Sequence, residues 1–168
     1  AKDPIQLSRS APAENKRSLV FKLSCHSYSF ILTGDIEKEA ERELSDWGES
    51  LEATVMKVPH HGSRGAMESA FLEAVYPKVA VISAGVHNPY GHPAPVVVSA
   101  YQKLGSRVFR TDEQGAIMIE ATEDILRVRK FSDLILSPVR WDSKMLFAEW
   151  ENMKRLVRPP FSLELDKV

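Results

Sequence analysis

The sequence predicts a layered α/β fold in which strands alternate with helices along most of the chain. Three observations lead to this prediction. Short apolar runs of strand length alternate with amphipathic stretches of helical period. The run at 78–83 is apolar on both faces, which is typical of an interior strand. Polar loops follow three of the strands, as they do at the ligand-binding edge of an open α/β sheet.

The predicted elements follow the order β-β-α-β-α-β-α-β-β-β. Strands over 18–23 and 28–33 are separated by a short polar break, which indicates a hairpin. A helix over 36–47 carries an apolar stripe that includes Trp47, and Gly48 ends it. The later elements are a strand over 54–58, a helix from about 67 to 77, the strand over 78–83, a helix over 95–104, and strands over 107–110, 116–120 and 124–129, with a turn over 111–115.

The composition excludes several classes of protein. Hydrophobic residues make up 43% and charged residues 27% of the 168 residues, which is ordinary for one soluble globular domain. The net charge of −1 gives no overall basic field for nucleic acid, although a metal ion could supply positive charge locally. The single cysteine, Cys25, excludes an internal disulfide. No apolar run reaches the roughly 18 residues of a membrane span, and we expect no signal peptide.

Candidate functional residues lie in the three polar loops. Asp35 follows the second strand, where its carboxylate either caps the next helix or binds a metal at the sheet edge. His60 and His61 follow the next strand, and imidazole is a good ligand for zinc, manganese or iron. The alternative is a loop with two polar rings in water. The third loop adds side chains that can contact a substrate: Asn88, Tyr90 and His92.

Four motifs combine at the ends of these strands. They are Leu32-Thr33-Gly34-Asp35, Val58-Pro59-His60-His61-Gly62-Ser63, Asn88-Pro89-Tyr90-Gly91-His92-Pro93, and Arg110-Thr111-Asp112 with Gly115. In order and spacing they resemble the C-terminal half of the metallo-β-lactamase-fold domain of ComEC-type competence proteins, from about residue 15 to about residue 130. The resemblance implies the second half of an αββα sandwich, which is a mixed sheet with flanking helices.

The resemblance implies a metal-dependent hydrolase, a phosphodiesterase or nuclease that acts on one strand of incoming DNA. Asp35 would bridge two metal ions, either zinc or manganese, and His61 would bind one of them. These two residues would therefore be the catalytic ones. His60 would be a further metal ligand or lie directly behind the ligands. The residues implied to contact the substrate are His60, Ser63, Asn88, Tyr90 and His92.

One departure from the family pattern concerns the metal site. The His-x-His-x-Asp-His motif of the N-terminal half is absent, because none of the five histidines has that spacing. Asp35 and His61 are fewer than the four ligands of a closed zinc site. We therefore expect a missing N-terminal half of the fold to complete the site and to cover one face of the sheet. Without it, the chain should bind metal weakly and show little activity.

Two other functions stay open. The chain could be a hydrolase of the same fold that acts on another ester, or a degenerate, non-catalytic half-domain that binds DNA or a partner. The resemblance places the parent protein at the bacterial inner membrane, with this domain on the periplasmic side beside a channel. The domain is expected over 18–130, between a lead-in over 1–17 and a tail over 131–168. In that tail an amphipathic helix over 144–157 either packs on the domain or contacts DNA.

Overall fold

A computed structural model describes residues 18–131, and a mixed five-stranded sheet forms the centre of this part of the chain. Its first two strands form an antiparallel hairpin, and each later strand adds in parallel. The predicted hairpin and the interior position of the strand at 78–83 are confirmed. The strands, in both spatial and chain order, are β1 (Phe21–Cys25), β2 (Tyr28–Leu32), β3 (Val55–Lys57), β4 (Val79–Ile82) and β5 (Arg107–Arg110).

Helices connect the parallel strands and cover one face of this sheet. They are α1 (Lys38–Ser45) with a 3₁₀ turn at Gly48–Leu51, α2 (Ser69–Val75) and α3 (Pro95–Lys103). Ile31, Met56 and Ala80 are paired across β2, β3 and β4 on this face. They pack against side chains of α2 and α3, which are Phe71, Val75, Val97 and Tyr101. Burial of these apolar surfaces is the main stabilising contribution to the fold.

A two-stranded sheet covers part of the opposite face. A single helical turn, α4 (Thr111–Gln114), leads from β5 into β6 (Ile117–Ala121), which pairs antiparallel with β7 (Leu126–Lys130). Val55, Val79 and Phe109 of the large sheet form a second core with apolar side chains of this hairpin, which are Ile117, Ile119, Leu126 and Val128. The α/β class, with a mixed sheet flanked by helices, is thereby confirmed, and the layers are consistent with half of a metallo-β-lactamase sandwich.

Within the described residues, one face of β1 is uncovered, the face on the same side of the large sheet as β6 and β7. The register pairs Phe21 with Leu32 and Leu23 with Phe30, and Phe30 packs in the core beneath β6 and β7. Phe21 and Leu23 therefore point to that same side of the large sheet. Phe21 is 41% exposed and Leu23 is 52% exposed. Most of the sheet face that the sequence predicts to be uncovered is covered by β6 and β7, and among residues 18–131 exposed apolar side chains remain over β1.

The first helix differs from its prediction at both ends. It begins at Lys38 with Glu37 at its N-cap, so the interpretation of Asp35 as a helix cap is wrong. The backbone N–H of Asp35 instead donates to Ser18 Oγ at 3.1 Å, within a turn that redirects the chain before the helix starts. Trp47, expected on the buried stripe, is exposed, because the 3₁₀ turn that follows buries Leu51 in its place. The predicted turn over 111–115 contains the helical turn α4.

Some expectations fall outside the structure. The lead-in over 1–17 and the tail from residue 132 onward, with its predicted amphipathic helix, lie outside the described residues. Between residues 18 and 131, every helix is too short or too polar to cross a membrane.

A buried carboxyl, that of Glu41, ties α1 to the start of α2. Glu41 is 1% exposed, and its Oε2 accepts a hydrogen bond of 2.7 Å from the backbone N–H of Glu68, the N-cap residue of α2. Burial raises the pKa of Glu41 to about 7, and the nearby Glu68 carboxylate adds to this rise, whereas the hydrogen bond opposes it. The helix pair therefore depends on a group whose charge is costly to bury.

We expect Glu41→Gln to stabilise the protein more near pH 8 than near pH 5. The pKa is about 7 in the folded state and 4.5 in the unfolded state, so stability is lost as pH rises between these values. Glutamine keeps an acceptor for Glu68 and carries no charge, so up to about 3 kcal/mol should be recovered. Urea unfolding at both pH values measures the effect. The exposed Glu123→Gln is the control, and an equal gain at both pH values would contradict the prediction.

Candidate functional site

The predicted site residues lie where three neighbouring strands end. Asp35 follows β2, the two adjacent histidines follow β3, and the loop from Ser83 to Pro93 follows β4. Since β2, β3 and β4 are parallel neighbours, their C-terminal ends meet at one edge of the sheet. Side chains that are far apart in the sequence are thereby brought together.

The two histidines lie in a left-handed turn directly after β3. The φ angles of His60, His61 and Gly62 are 44°, 54° and 77°. This conformation costs roughly 1–2 kcal/mol for each residue that has a side chain. Hydrogen bonds to neighbouring loops hold the turn: the His60 N–H donates to the Gly34 carbonyl at 3.2 Å, and the Ala94 N–H donates to the Gly62 carbonyl at 2.9 Å. Backbone strain of this kind is concentrated at functional sites.

The ring of His61 has one nitrogen on the backbone and the other facing Asp35. Nδ1 lies 2.7 Å from the carbonyl oxygen of Ser83, so in the neutral ring Nδ1 carries the proton and donates it. Nε2 therefore keeps its lone pair, and it lies 3.7 Å from Oδ1 of Asp35. A carbonyl behind the ring and a free nitrogen in front is the usual arrangement of a metal-binding histidine.

Lys57, the last residue of β3, lies close to the same Asp35 carboxylate. Its Nζ donates to the Gly34 carbonyl at 2.9 Å and to the Val58 carbonyl at 3.4 Å, and lies 3.7 Å from Asp35 Oδ1. Burial lowers the pKa of Lys57, and the Asp35 carboxylate opposes that shift. Lys57 is not among the predicted site residues. The signal for it is a lysine at the end of an apolar strand, directly before the histidine motif.

A cleft of about 370 Å³ opens beside His61. Asn88 shapes its outer loop, because its Nδ2 donates to the carbonyl oxygens of Gly85 at 2.9 Å and His92 at 2.6 Å. The Oδ1 of the same side chain accepts the His92 N–H at 3.0 Å. The cleft is lined by His61, Ser83, Ala84, Gly85, Asn88, Tyr90 and His92, so three of the predicted substrate residues share one wall.

Thr111, directly after β5, makes two hydrogen bonds with the backbone of Ala84 in the wall of the cleft. Its Oγ1 donates to the Ala84 carbonyl at 2.8 Å and accepts the Ala84 N–H at 2.9 Å. Beside it, the Arg110 guanidinium binds both carboxylate oxygens of Asp112, at 3.1 and 2.5 Å. The fourth sequence motif therefore contributes to the cleft by fixing the loop that contains Ala84.

Three histidine rings converge next to the cleft. The ring centroid of His60 lies 6.2 Å from that of His61 and 5.8 Å from that of His92. Desolvation, followed by the neighbouring His60 and His61, lowers the pKa of His92. His60 Nδ1 is buried and has no hydrogen-bond partner among residues 18–131, although Glu37 Oε1 lies 3.5 Å away. The lowered pKa favours the neutral form of the His92 imidazole.

Ser63 occupies a different position from the other predicted substrate residues. It follows the left-handed turn, and its Oγ accepts the N–H of Gly65 at 3.2 Å. Its own N–H donates to the His60 carbonyl at 2.8 Å. In this structure Ser63 therefore closes the turn and does not line the cleft.

The donors at the sheet edge fit one side of a metal-ion site. Asp35 Oδ1 and His61 Nε2 are 3.7 Å apart, and zinc bonds to such atoms are about 2.0–2.2 Å long, so both could contact one ion. Across the described part of the chain, no group of three or more His, Cys, Asp or Glu side chains is placed to hold a metal. Two donors have the right chemistry, and further ligands would have to come from water, substrate or other protein segments.

Together, the fold and the site define an α/β domain with an aspartate–histidine pair and a cleft at the C-terminal edge of its sheet. No family model matches the chain. Over 114 residues, or 66% of its length, the chain is 43% identical to ComE operon protein 3 of Bacillus subtilis. It is 33% identical over 105 residues, or 62% of its length, to Competence protein ComA of Neisseria gonorrhoeae. It is 34% identical over 128 residues, or 76% of its length, to Uncharacterized protein YcaI of Escherichia coli.

These similarities support the expected relation to competence proteins. They concern a small part of each relative, since the aligned segments span 15% of the first two and 17% of the third.

The left-handed turn leads to a prediction about two glycines. A Cβ at Gly62 would lie 2.7 Å from Pro93 Cβ, whereas a Cβ at Gly48, which also has a positive φ, would have no atom within 4 Å. We expect Gly48→Ala to cost about 1 kcal/mol of unfolding free energy from its φ alone. Gly62→Ala should cost a further 1–3 kcal/mol or so from overpacking. Urea unfolding measures both, and equal losses would show that contact with Pro93 is unimportant.

Proposed function

We propose that the chain is part of a metal-dependent phosphodiesterase or nuclease domain of a DNA-uptake protein. The observation that carries the proposal is the pair formed by Asp35 Oδ1 and His61 Nε2, 3.7 Å apart beside a cleft. The names ComE operon protein 3 and Competence protein ComA support the context of competence, in which DNA enters the cell. The chain spans only 15% of each of these relatives, so the activity of the whole protein is part of the proposal.

Each side chain at the sheet edge has a role in this proposal. A bound zinc or manganese ion would supply a water of lowered pKa and positive charge at the attacked phosphate. Asp35 and His61 would hold the metal, and His60 would be a further ligand or support them from behind. Lys57 would keep the Asp35 carboxylate in place. His92, neutral because its pKa is lowered, would donate a hydrogen bond to a phosphate oxygen.

The exposed apolar strip on β1 supports the proposal that another protein segment completes the fold. Phe21 and Leu23 leave apolar surface on a sheet face that is otherwise covered. An N-terminal half of the sandwich would cover this strip and supply the remaining metal ligands. A parent protein at the bacterial inner membrane, with this domain on the periplasmic side of a channel, belongs to the same proposal.

Metal binding by the chain alone tests the assignment of the ligands. We expect weak binding, because only two donors are in place, so isothermal titration with Mn²⁺ or Zn²⁺ should show no tight stoichiometric site. In NMR spectra, substoichiometric Mn²⁺ should broaden the imidazole signals of His61 and His60 before that of His26, which lies in the β1–β2 turn. Asp35→Asn should remove this selectivity.

The matched control for that variant is Asp124→Asn, which changes an exposed carboxylate in the turn between β6 and β7. It should leave the order of broadening unchanged. If all histidine signals broaden together in the unmodified chain, the metal-site assignment is wrong.

Hydrolysis is best assayed in a longer protein that carries this chain together with a His-x-His-x-Asp-His segment. We expect Mn²⁺-dependent cleavage of single-stranded DNA that Asp35→Asn lowers at least a hundredfold and Asp124→Asn leaves unchanged. Cleavage of bis(p-nitrophenyl) phosphate without cleavage of DNA would instead indicate a hydrolase of another ester. Unimpaired DNA uptake with Asp35→Asn would indicate a non-catalytic half-domain.

A further inference from the structure

Tyr90 lies at the rim of the cleft with most of its ring in solvent. Its side chain is 79% exposed, more than any other large apolar or aromatic side chain in the described part of the chain. The ring is nearly parallel to that of His92, with an angle of 19° and 6.0 Å between centroids. Part of the ring is therefore supported by an imidazole, and the rest is accessible to a ligand.

The loop that carries Tyr90 is held in a defined shape. Asn88 makes three hydrogen bonds across it, to the Gly85 carbonyl and to both backbone groups of His92. A single exposed tyrosine is common on protein surfaces and implies nothing by itself. Here the exposed ring lies at the edge of a cleft that also contains His61 and His92, and Asn88 holds the backbone of the loop that carries it.

We propose that Tyr90 is a stacking platform for a nucleobase of a single-stranded nucleic acid whose phosphate lies at His92. The proposal rests on the function proposed above and identifies the class of phosphodiester that the cleft accepts. A nucleotide combines a phosphate, which needs hydrogen-bond donors, with a flat base, which needs an aromatic face. The cleft offers a hydrogen-bond donor at the His92 imidazole and an aromatic face at Tyr90 on its rim.

The same geometry predicts a preference for single strands. In a duplex both faces of each base are covered by neighbouring bases, so a ring at the rim has no base face to contact. In a single strand a base can leave the stack and lie on an aromatic side chain, and this contact tolerates any sequence. A small phosphodiester without a base would contact His92 and gain nothing from Tyr90.

Binding of two oligomers to the full 168-residue chain tests the proposal. One probe is a fluorescent hexathymidylate, and the other is an abasic deoxyribose-phosphate hexamer with the same label and charge. Both are titrated by fluorescence anisotropy with EDTA present, so that no cleavage occurs. We expect Tyr90→Leu to weaken hexathymidylate binding about tenfold, the effect of losing one base–aromatic stack, and to change abasic binding less than twofold.

Two further variants isolate the aromatic face. Tyr90→Phe should bind both probes as the unmodified chain does, because stacking does not need the hydroxyl. Tyr76→Leu removes another exposed tyrosine, at the end of α2 directly before β4 and therefore at the opposite edge of the sheet. It should change neither affinity. Thermal melting confirms that all three variants are folded.

Several results would overturn the stacking proposal. They are equal losses for both probes with Tyr90→Leu, no preference of the unmodified chain for the base-bearing probe, and no binding of either probe. The proposed hydrolase function is judged separately, by the effect of Asp35→Asn on metal binding and cleavage. Suppose that Asp35→Asn abolishes the histidine-selective broadening by Mn²⁺, but the unmodified chain binds both probes equally. The proposed hydrolase function would then stand, and the stacking role of Tyr90 would be wrong.

Discussion

The left-handed turn at His60, His61 and Gly62 is the constraint on which the rest of the site depends. It turns the chain at the end of β3 so that His61 lies between the Ser83 carbonyl and the Asp35 carboxylate. A regular continuation of the strand would carry the ring away from one of them. The cost of two strained histidines is offset by hydrogen bonds to the loops after β2 and β4. The turn is therefore stabilised by loops that follow two neighbouring strands of the parallel sheet.

Asp35 is held between two groups of different kinds. Lys57 Nζ and His61 Nε2 each lie 3.7 Å from the same carboxylate oxygen. The lysine is anchored by backbone carbonyls, and its half-buried charge is stabilised by Asp35. The histidine is anchored by Ser83 and keeps a free lone pair. A carboxylate and an imidazole that are fixed in advance need little reorganisation when a cation binds, which is how supporting contacts increase the precision of a metal site.

The two sides of the sheet differ in a way that links the fold to the proposed function. Helices complete the core on one face, and Glu41 joins α1 to α2 there through a buried hydrogen bond. On the other face the β6–β7 hairpin covers the later strands, whereas Phe21 and Leu23 on β1 remain exposed. The proposed function assigns the cover of this strip to another protein segment.

The sequence by itself determined the order of the elements and the residues at the strand ends, because hydrophobic periodicity reports which face of each local segment is buried. It also placed Asp35, His61 and His92 in loops that could meet. Only the tertiary structure decided that Asp35 faces His61 and does not cap α1, that Lys57 shares its carboxylate, and that a Ser83 carbonyl orients the imidazole. Backbone groups have no sequence signature, and the distance between strand ends depends on the register of the assembled sheet.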